Sequence, residues 1–194
     1  MFKIKNKIIG LLLIFTLLFV LVSSLLQAKE QKIGFKEWGV GVGFLMADLK
    51  DKRDLNEIAL SLHWGRDLRT LLKNKSHHLM EFVVEPYASL ISSPRTNFKG
   101  GCNFLLKWGI PLSKKIVPFI QAGAGMSYFT LQTRQQSTQF NFTEVLSTGI
   151  SYFVKENISV NLEYRYQHLS NASMRRPNRG IDSQGFNLSF SLYY

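Results

Sequence analysis

Cysteine is nearly absent from this chain. Cys102 is the only one in 194 residues, so no internal disulfide can brace the fold. Long apolar runs are equally scarce: beyond Val22 no stretch reaches the length of a membrane-spanning helix. No glycine-rich phosphate loop occurs, because Gly39, Gly41 and Gly43 alternate along an extended run, as close strand packing requires. Metal-ligand spacing is missing too. The His77–His78 pair has no further ligands near it, which argues against a metal centre. Acid is in deficit, with 13 Asp and Glu against 24 Lys and Arg, a net charge of +11.

The first segment has the layout of a cleavable signal peptide. Lys3, Lys5 and Lys7 precede an apolar run from Ile8 to Val22, and the small residues Ser23, Ser24 and Ala28 follow. Cleavage after Ala28 or after Ser24 fits, an uncleaved anchor is the alternative, and no cysteine near the cut supports a lipoprotein. Taking residues 1–28 as the leader leaves residues 29–194, enough for one domain. Without the leader's lysines the net charge is still about +8. Export argues against nucleic acid as the partner of that charge. An anionic membrane surface fits better, such as the phosphorylated lipid A leaflet of a Gram-negative outer membrane.

The rest of the chain is a series of short alternating runs. Eight are legible, over residues 37–47, 57–64, 79–90, 98–110, 116–130, 140–153, 158–169 and 182–194. Each is about the length of a tilted transmembrane strand. Apolar residues hold the even positions, as in Trp38, Val40, Val42 and Phe44, or Phe186, Leu188, Phe190 and Leu192. The odd positions are small or polar: Glu57, Ser61, His63, Glu81, Glu85, Lys99, Lys107, Glu163, Arg165 and Gln167. A soluble sandwich shares that alternation. The aromatic content, the leader and a last run that alternates up to Tyr194 favour an all-β, eight-stranded antiparallel transmembrane barrel. Its interior charges are then expected to pair with one another. The stretch 65–78, with Leu68, Leu71 and Leu72, is long for a periplasmic turn and suits a short amphipathic helix.

With periplasmic termini, the loops after odd-numbered strands face the cell exterior. They carry Lys50, Lys52, Arg53, Arg95, Arg134, Arg175, Arg176 and Arg179, a basic rim suited to phosphate groups. At that rim the last hairpin gathers a base, a hydroxyl and a carboxylate. His168 and Ser170 lie two apart, on one side of an extended chain, with Cα atoms roughly 6.5–7 Å apart. Pro177, Asn178 and Gly180 turn the chain back, so Asp182 comes beside His168. All three continue the lipid-facing phase. Ionisable groups there are costly, though less so at head-group level. Glu144, also in that phase, suits a head-group contact or a substitute carboxylate, and His63 a satisfied interior residue.

The segment His168-Leu169-Ser170-Asn171-Ala172, with Pro177-Asn178 and Gly180-Ile181-Asp182-Ser183, resembles the signature of the PagL-type lipid A 3-O-deacylases. The eight-run layout agrees along the mature chain, whereas the specific match covers about the last thirty residues. The resemblance implies an outer-membrane serine esterase that removes the ester-linked 3-hydroxyacyl chain at position 3 of lipid A, with no metal or organic cofactor. It implies His168 as general base, Ser170 as nucleophile and Asp182 as the orienting acid, where the family commonly has Glu. Asn171 matches a side-chain donor to the oxyanion. Ser173 stands where the family often has Gly, whose N–H also serves the oxyanion. Arg175, Arg176 and Arg179 would hold the lipid's phosphates. A homodimer is left open. The rivals are a non-enzymatic barrel and another outer-membrane lipase or acyltransferase.

Overall fold

The computed structural model describes residues 36–49, 54–69 and 78–194. The expected signal peptide, the leucines at 71 and 72 and the basic residues at 50, 52 and 53 lie outside them. Eight antiparallel strands follow one another: β1 (Lys36–Asp48), β2 (Asp54–Asp67), β3 (Leu79–Ser93), β4 (Asn97–Gly109), β5 (Ile116–Phe129), β6 (Phe140–Lys155), β7 (Ile158–Ser170) and β8 (Ile181–Tyr193). Each pairs with its sequence neighbour, and β1 pairs with β8 to close the barrel. Closure satisfies the backbone within the sheet, which a span through hydrocarbon demands.

The phase expected from sequence is the phase observed. Even-numbered apolar residues face outward, with Leu60 62% and Phe186 60% exposed. They form the lipid-facing belt. Aromatic side chains ring the end near the termini: the Trp38 indole donates to Tyr194 Oη at 2.6 Å, and Trp64 packs beside Trp38 with ring centroids 6.5 Å apart. Such girdles sit at bilayer interfaces, where a ring is half apolar and half wet. Strand β2 runs longer than its alternating core at 57–64, because pairing with β1 continues to Asp48 opposite Asp54.

The interior refines one expectation. Its middle is mostly polar and ion-paired, beside one small apolar cluster of Val83, Leu105 and Val145. Arg165 grips Glu85 through both terminal nitrogens, at 2.6 and 2.7 Å, and donates from Nε to Glu163 at 2.7 Å. His63 Nε2 lies 3.1 Å from Glu85 and 3.1 Å from Ser61 Oγ, the satisfied interior residue expected. Lys99 pairs with Glu57, and Lys107 with Glu37 and Glu81. Both ends of the lumen, however, are apolar. Leu55, Ile91, Phe129, Leu131, Leu169 and Ile181 close the outer end, while Leu79, Val117, Phe153 and Tyr193 close the other. These plugs separate the ion pairs from bulk water, where the same pairs would be weak. Two plug residues, Leu169 and Ile181, are paired across β7 and β8 and stand beside His168 and Asp182.

Candidate active site on the outer rim of the barrel

The β7–β8 register places His168 directly opposite Asp182. Both point outward, with side chains 31% and 52% exposed, at the rim of the apolar belt. The imidazole Nδ1 donates to Asp182 Oδ1 at 2.6 Å. A carboxylate oxygen only accepts, so the proton of the neutral ring sits on Nδ1 and Nε2 keeps a free lone pair. That is the tautomer a general base requires. The acid is one methylene shorter than Glu, yet direct cross-strand pairing brings it within reach.

Ser170 is half-buried at the last position of β7, on the same face as His168 and opposite Phe142 of β6. No hydrogen bond joins its hydroxyl to the imidazole in this structure. Two residues apart on one strand, the pair faces the same side of the sheet, and contacts between such groups commonly tighten only around substrate. Exposed Phe142 and Phe140, whose rings meet edge to face at 5.6 Å, put apolar surface beside the hydroxyl.

A tight turn follows. Ala172 and Ser173 have φ of 49° and 63°, and Met174 N–H donates to Asn171 O at 3.0 Å. Two successive positive φ values match a type I′ turn. Ser173 therefore occupies the left-handed conformation that glycine adopts most readily. Among the described residues, neither the Ala172 nor the Ser173 N–H has an acceptor.

Asn171 stands differently from an amide aimed at an oxyanion. It follows Ser170 by one residue, so it faces inward and is fully buried. Its Nδ2 donates to Arg175 O at 2.8 Å and to Ser137 Oγ at 3.3 Å. Its own N–H donates to Asn178 Oδ1 at 2.9 Å. The residue holds the loop together. Arg175, Arg176 and Arg179 are all exposed on that loop, and Arg134 and Arg95 are exposed on the β5–β6 and β3–β4 loops.

Three features escaped the sequence reading. Tyr166 Oη donates to Asp182 Oδ1 at 2.7 Å, the same oxygen that His168 holds. Gly180 has φ of 69° and lies against the imidazole; a Cβ there would stand 2.4 Å from His168 Cε1 and 3.1 Å from Nε2. The β5–β6 loop straps the β7–β8 loop. Gln136 bridges to Asn178, Gln136 Nε2 donates to Leu169 O at 3.2 Å, and Ser137 N–H donates to Pro177 O at 3.1 Å. Glu144, on the outward face of β6, is the direct partner of His168 on its other side. His78 lies against the Trp108 ring at the opposite end, and the described residues contain no cluster of metal ligands.

A closed eight-stranded barrel with an imidazole–carboxylate pair and a neighbouring hydroxyl on its lipid-facing rim presents the groups that ester hydrolysis on membrane lipid would use. The model of the lipid A 3-O-deacylase (PagL) family matches residues 57–191, and the chain belongs to that family. Its activity is the family's: lipid A 3-O-deacylation, the hydrolysis of an ester on lipid A. Solved structures agree on the fold. The crystal structure of the outer membrane enzyme PagL aligns with a TM-score of 0.54 at 18% identity, over 81% of this chain and 99% of that one. Neisserial surface protein A aligns with a TM-score of 0.63 at 12% identity, over 82% of this chain and 97% of that one. The barrel alone therefore carries no chemistry, and the family match decides it. No curated protein sequence matches the chain.

Proposed function

We propose that His168, Ser170 and Asp182 carry the hydrolysis of the 3-hydroxyacyl ester at position 3 of lipid A. The observation behind this reading is the 2.6 Å bond from His168 Nδ1 to Asp182, on the lipid-facing rim, two residues from Ser170. Nε2 takes the proton of the Ser170 hydroxyl as Oγ attacks the ester carbonyl carbon. Asp182 stabilises the imidazolium that forms. The charged ring then passes its proton to the departing sugar oxygen, leaving an acyl-enzyme on Ser170. Water, deprotonated by the same Nε2, releases the fatty acid. The N–H groups of the exposed Ala172 and Ser173 are the donors for the oxyanion, and Asn171 supports them by fixing the turn. A donor of this kind is worth about 3–4 kcal/mol in other enzymes.

The site faces the bilayer, so the lipid enters sideways within the outer leaflet. Its acyl chain lies along the apolar face beside Phe142. Arg175, Arg176 and Arg179 hold its phosphates. One chain supplies every group of this mechanism, so a homodimer would add no reacting residue. Export by the leader at residues 1–28 belongs to the same reading.

Lipid A from cells expressing the protein, analysed by mass spectrometry, tests the assignment. The intact protein yields a species lighter by one 3-hydroxy fatty acid. Ser170→Ala and His168→Asn fold and give none. Release that persists in Ser170→Ala would defeat it, and a heavier product would mark an acyltransferase.

A further inference from the structure

Asp182 Oδ1 receives two donors, His168 Nδ1 at 2.6 Å and Tyr166 Oη at 2.7 Å. The second has a geometric origin. Tyr164 and Tyr166 stand directly opposite Phe186 and Gln184. Each phenol nevertheless leans one step toward the rim: Tyr164 Oη donates to Gln184 Oε1 at 2.8 Å, and Tyr166 Oη reaches Asp182. Lipid-facing tyrosines orient this way because the ring stays in hydrocarbon while the hydroxyl seeks polar company. The edge-to-face contact of Tyr164 with Phe186, 5.5 Å between centroids, braces the lower end of the row.

A carboxylate so exposed, at the edge of a low-dielectric layer, is costly to keep charged, and its last torsion has only broad wells to hold it. One donor leaves that torsion soft. Two donors converging on one oxygen fix it and keep that oxygen on the imidazole. Asp182 needs the second donor more than a longer acid would, since its shorter stem meets His168 only when aimed at it.

We propose that Tyr166 is a positioning residue for this site: its hydroxyl holds the short Asp182 carboxylate against His168. This rests on the catalytic assignment above. The tyrosine touches neither the ester nor the nucleophile. It acts through the acid.

The test uses the full barrel folded in detergent, with lipid A in mixed micelles as substrate. Removing only the hydroxyl, Tyr166→Phe lowers kcat about tenfold and leaves KM within about twofold. In an Asp182→Glu background the same change costs less than about threefold, so the two substitutions couple. An unchanged kcat, or equal losses in both backgrounds, overturns the proposal. A second readout does not depend on turnover. The Nδ1 proton resonance of His168, followed by NMR in Ser170→Ala protein, shifts or broadens when Tyr166 becomes Phe. An unmoved resonance overturns the proposal even if activity falls. Wild-type protein that releases no fatty acid would count instead against the catalytic assignment, and the resonance would still decide the role of Tyr166.

Discussion

Strand β7 carries two constellations, one residue out of step with each other. Its inward residues Glu163, Arg165 and Gln167 join the buried network around Glu85 and Lys99. Its outward residues Tyr166, His168 and Ser170 form the rim site with Asp182 of β8. The inner set is buried and tied to partners on several strands. The outer set is half-exposed, and its hydroxyl carries no bond to the base. Period-two alternation lets one segment build a frame and the proposed active site without sharing a side chain. The frame fixes the backbone, and the backbone aims the site. A change at an odd position should therefore register as stability, and one at an even position as turnover.

Arg165→Ala puts the largest load on that division. It removes the guanidinium from two buried carboxylates and leaves His63 and Asn103 as the remaining partners of Glu85. Breaking such a pair costs about 3–5 kcal/mol, because the other charge stays buried. Unfolding by guanidinium in lipid or detergent, followed by the gel shift of the heat-denatured barrel, should show that loss. Turnover per folded molecule should stay close to wild type. A variant as stable as wild type but slow would show that the two faces are coupled and not merely interleaved.

Gly180→Ala attacks the outer set from its loop. Its φ of 69° disfavours any side chain, and a Cβ would press on His168 Cε1. The ring must yield, and a displacement of about 1 Å in a catalytic group costs roughly a hundredfold in rate. Steady-state kinetics on lipid A should show that loss in kcat, with the barrel's stability lowered by only the backbone strain of about 1–2 kcal/mol. A large loss of stability without loss of rate would make Gly180 part of the frame.

Much of this division is legible in the sequence because it follows from parity. The even-numbered apolar row and the odd-numbered charges locate the strands, their faces and the pairing of His168 with Asp182. Asn171, one step beyond Ser170, falls on the inward phase, and its amide is buried and bonded within the loop. Contacts that carry no period were not legible. A tyrosine on the lipid row reads as an interfacial anchor, and only coordinates show Tyr166 leaning onto Asp182. Gly180 reads as a turn residue, although it also seats the imidazole. The strap from Gln136 and Ser137 joins two loops distant in sequence, and neither loop contains a pattern that announces the other. The apolar plugs escaped for a similar reason: Leu169 and Ile181 break the small-or-polar pattern only where the strands end.

The smallest effect belongs to Ser173→Gly, and it has the opposite sign. Ser173 sits at φ of 63°, where a Cβ costs about 1–2 kcal/mol relative to an ordinary backbone position. Its hydroxyl makes no protein hydrogen bond, so its removal forfeits nothing in the fold. Glycine pays back part of the gain through the greater freedom of its unfolded chain, leaving a net of about 1 kcal/mol or less, local to the turn. Slower amide exchange at Met174 and a kcat/KM equal to wild type or raised up to about threefold are the expected results. They would place Ser173 with the frame of the loop, contributing its N–H and not its side chain. A clear fall in kcat/KM would mean that the hydroxyl meets the lipid, and the boundary between frame and chemistry would then run through this turn instead of beside it.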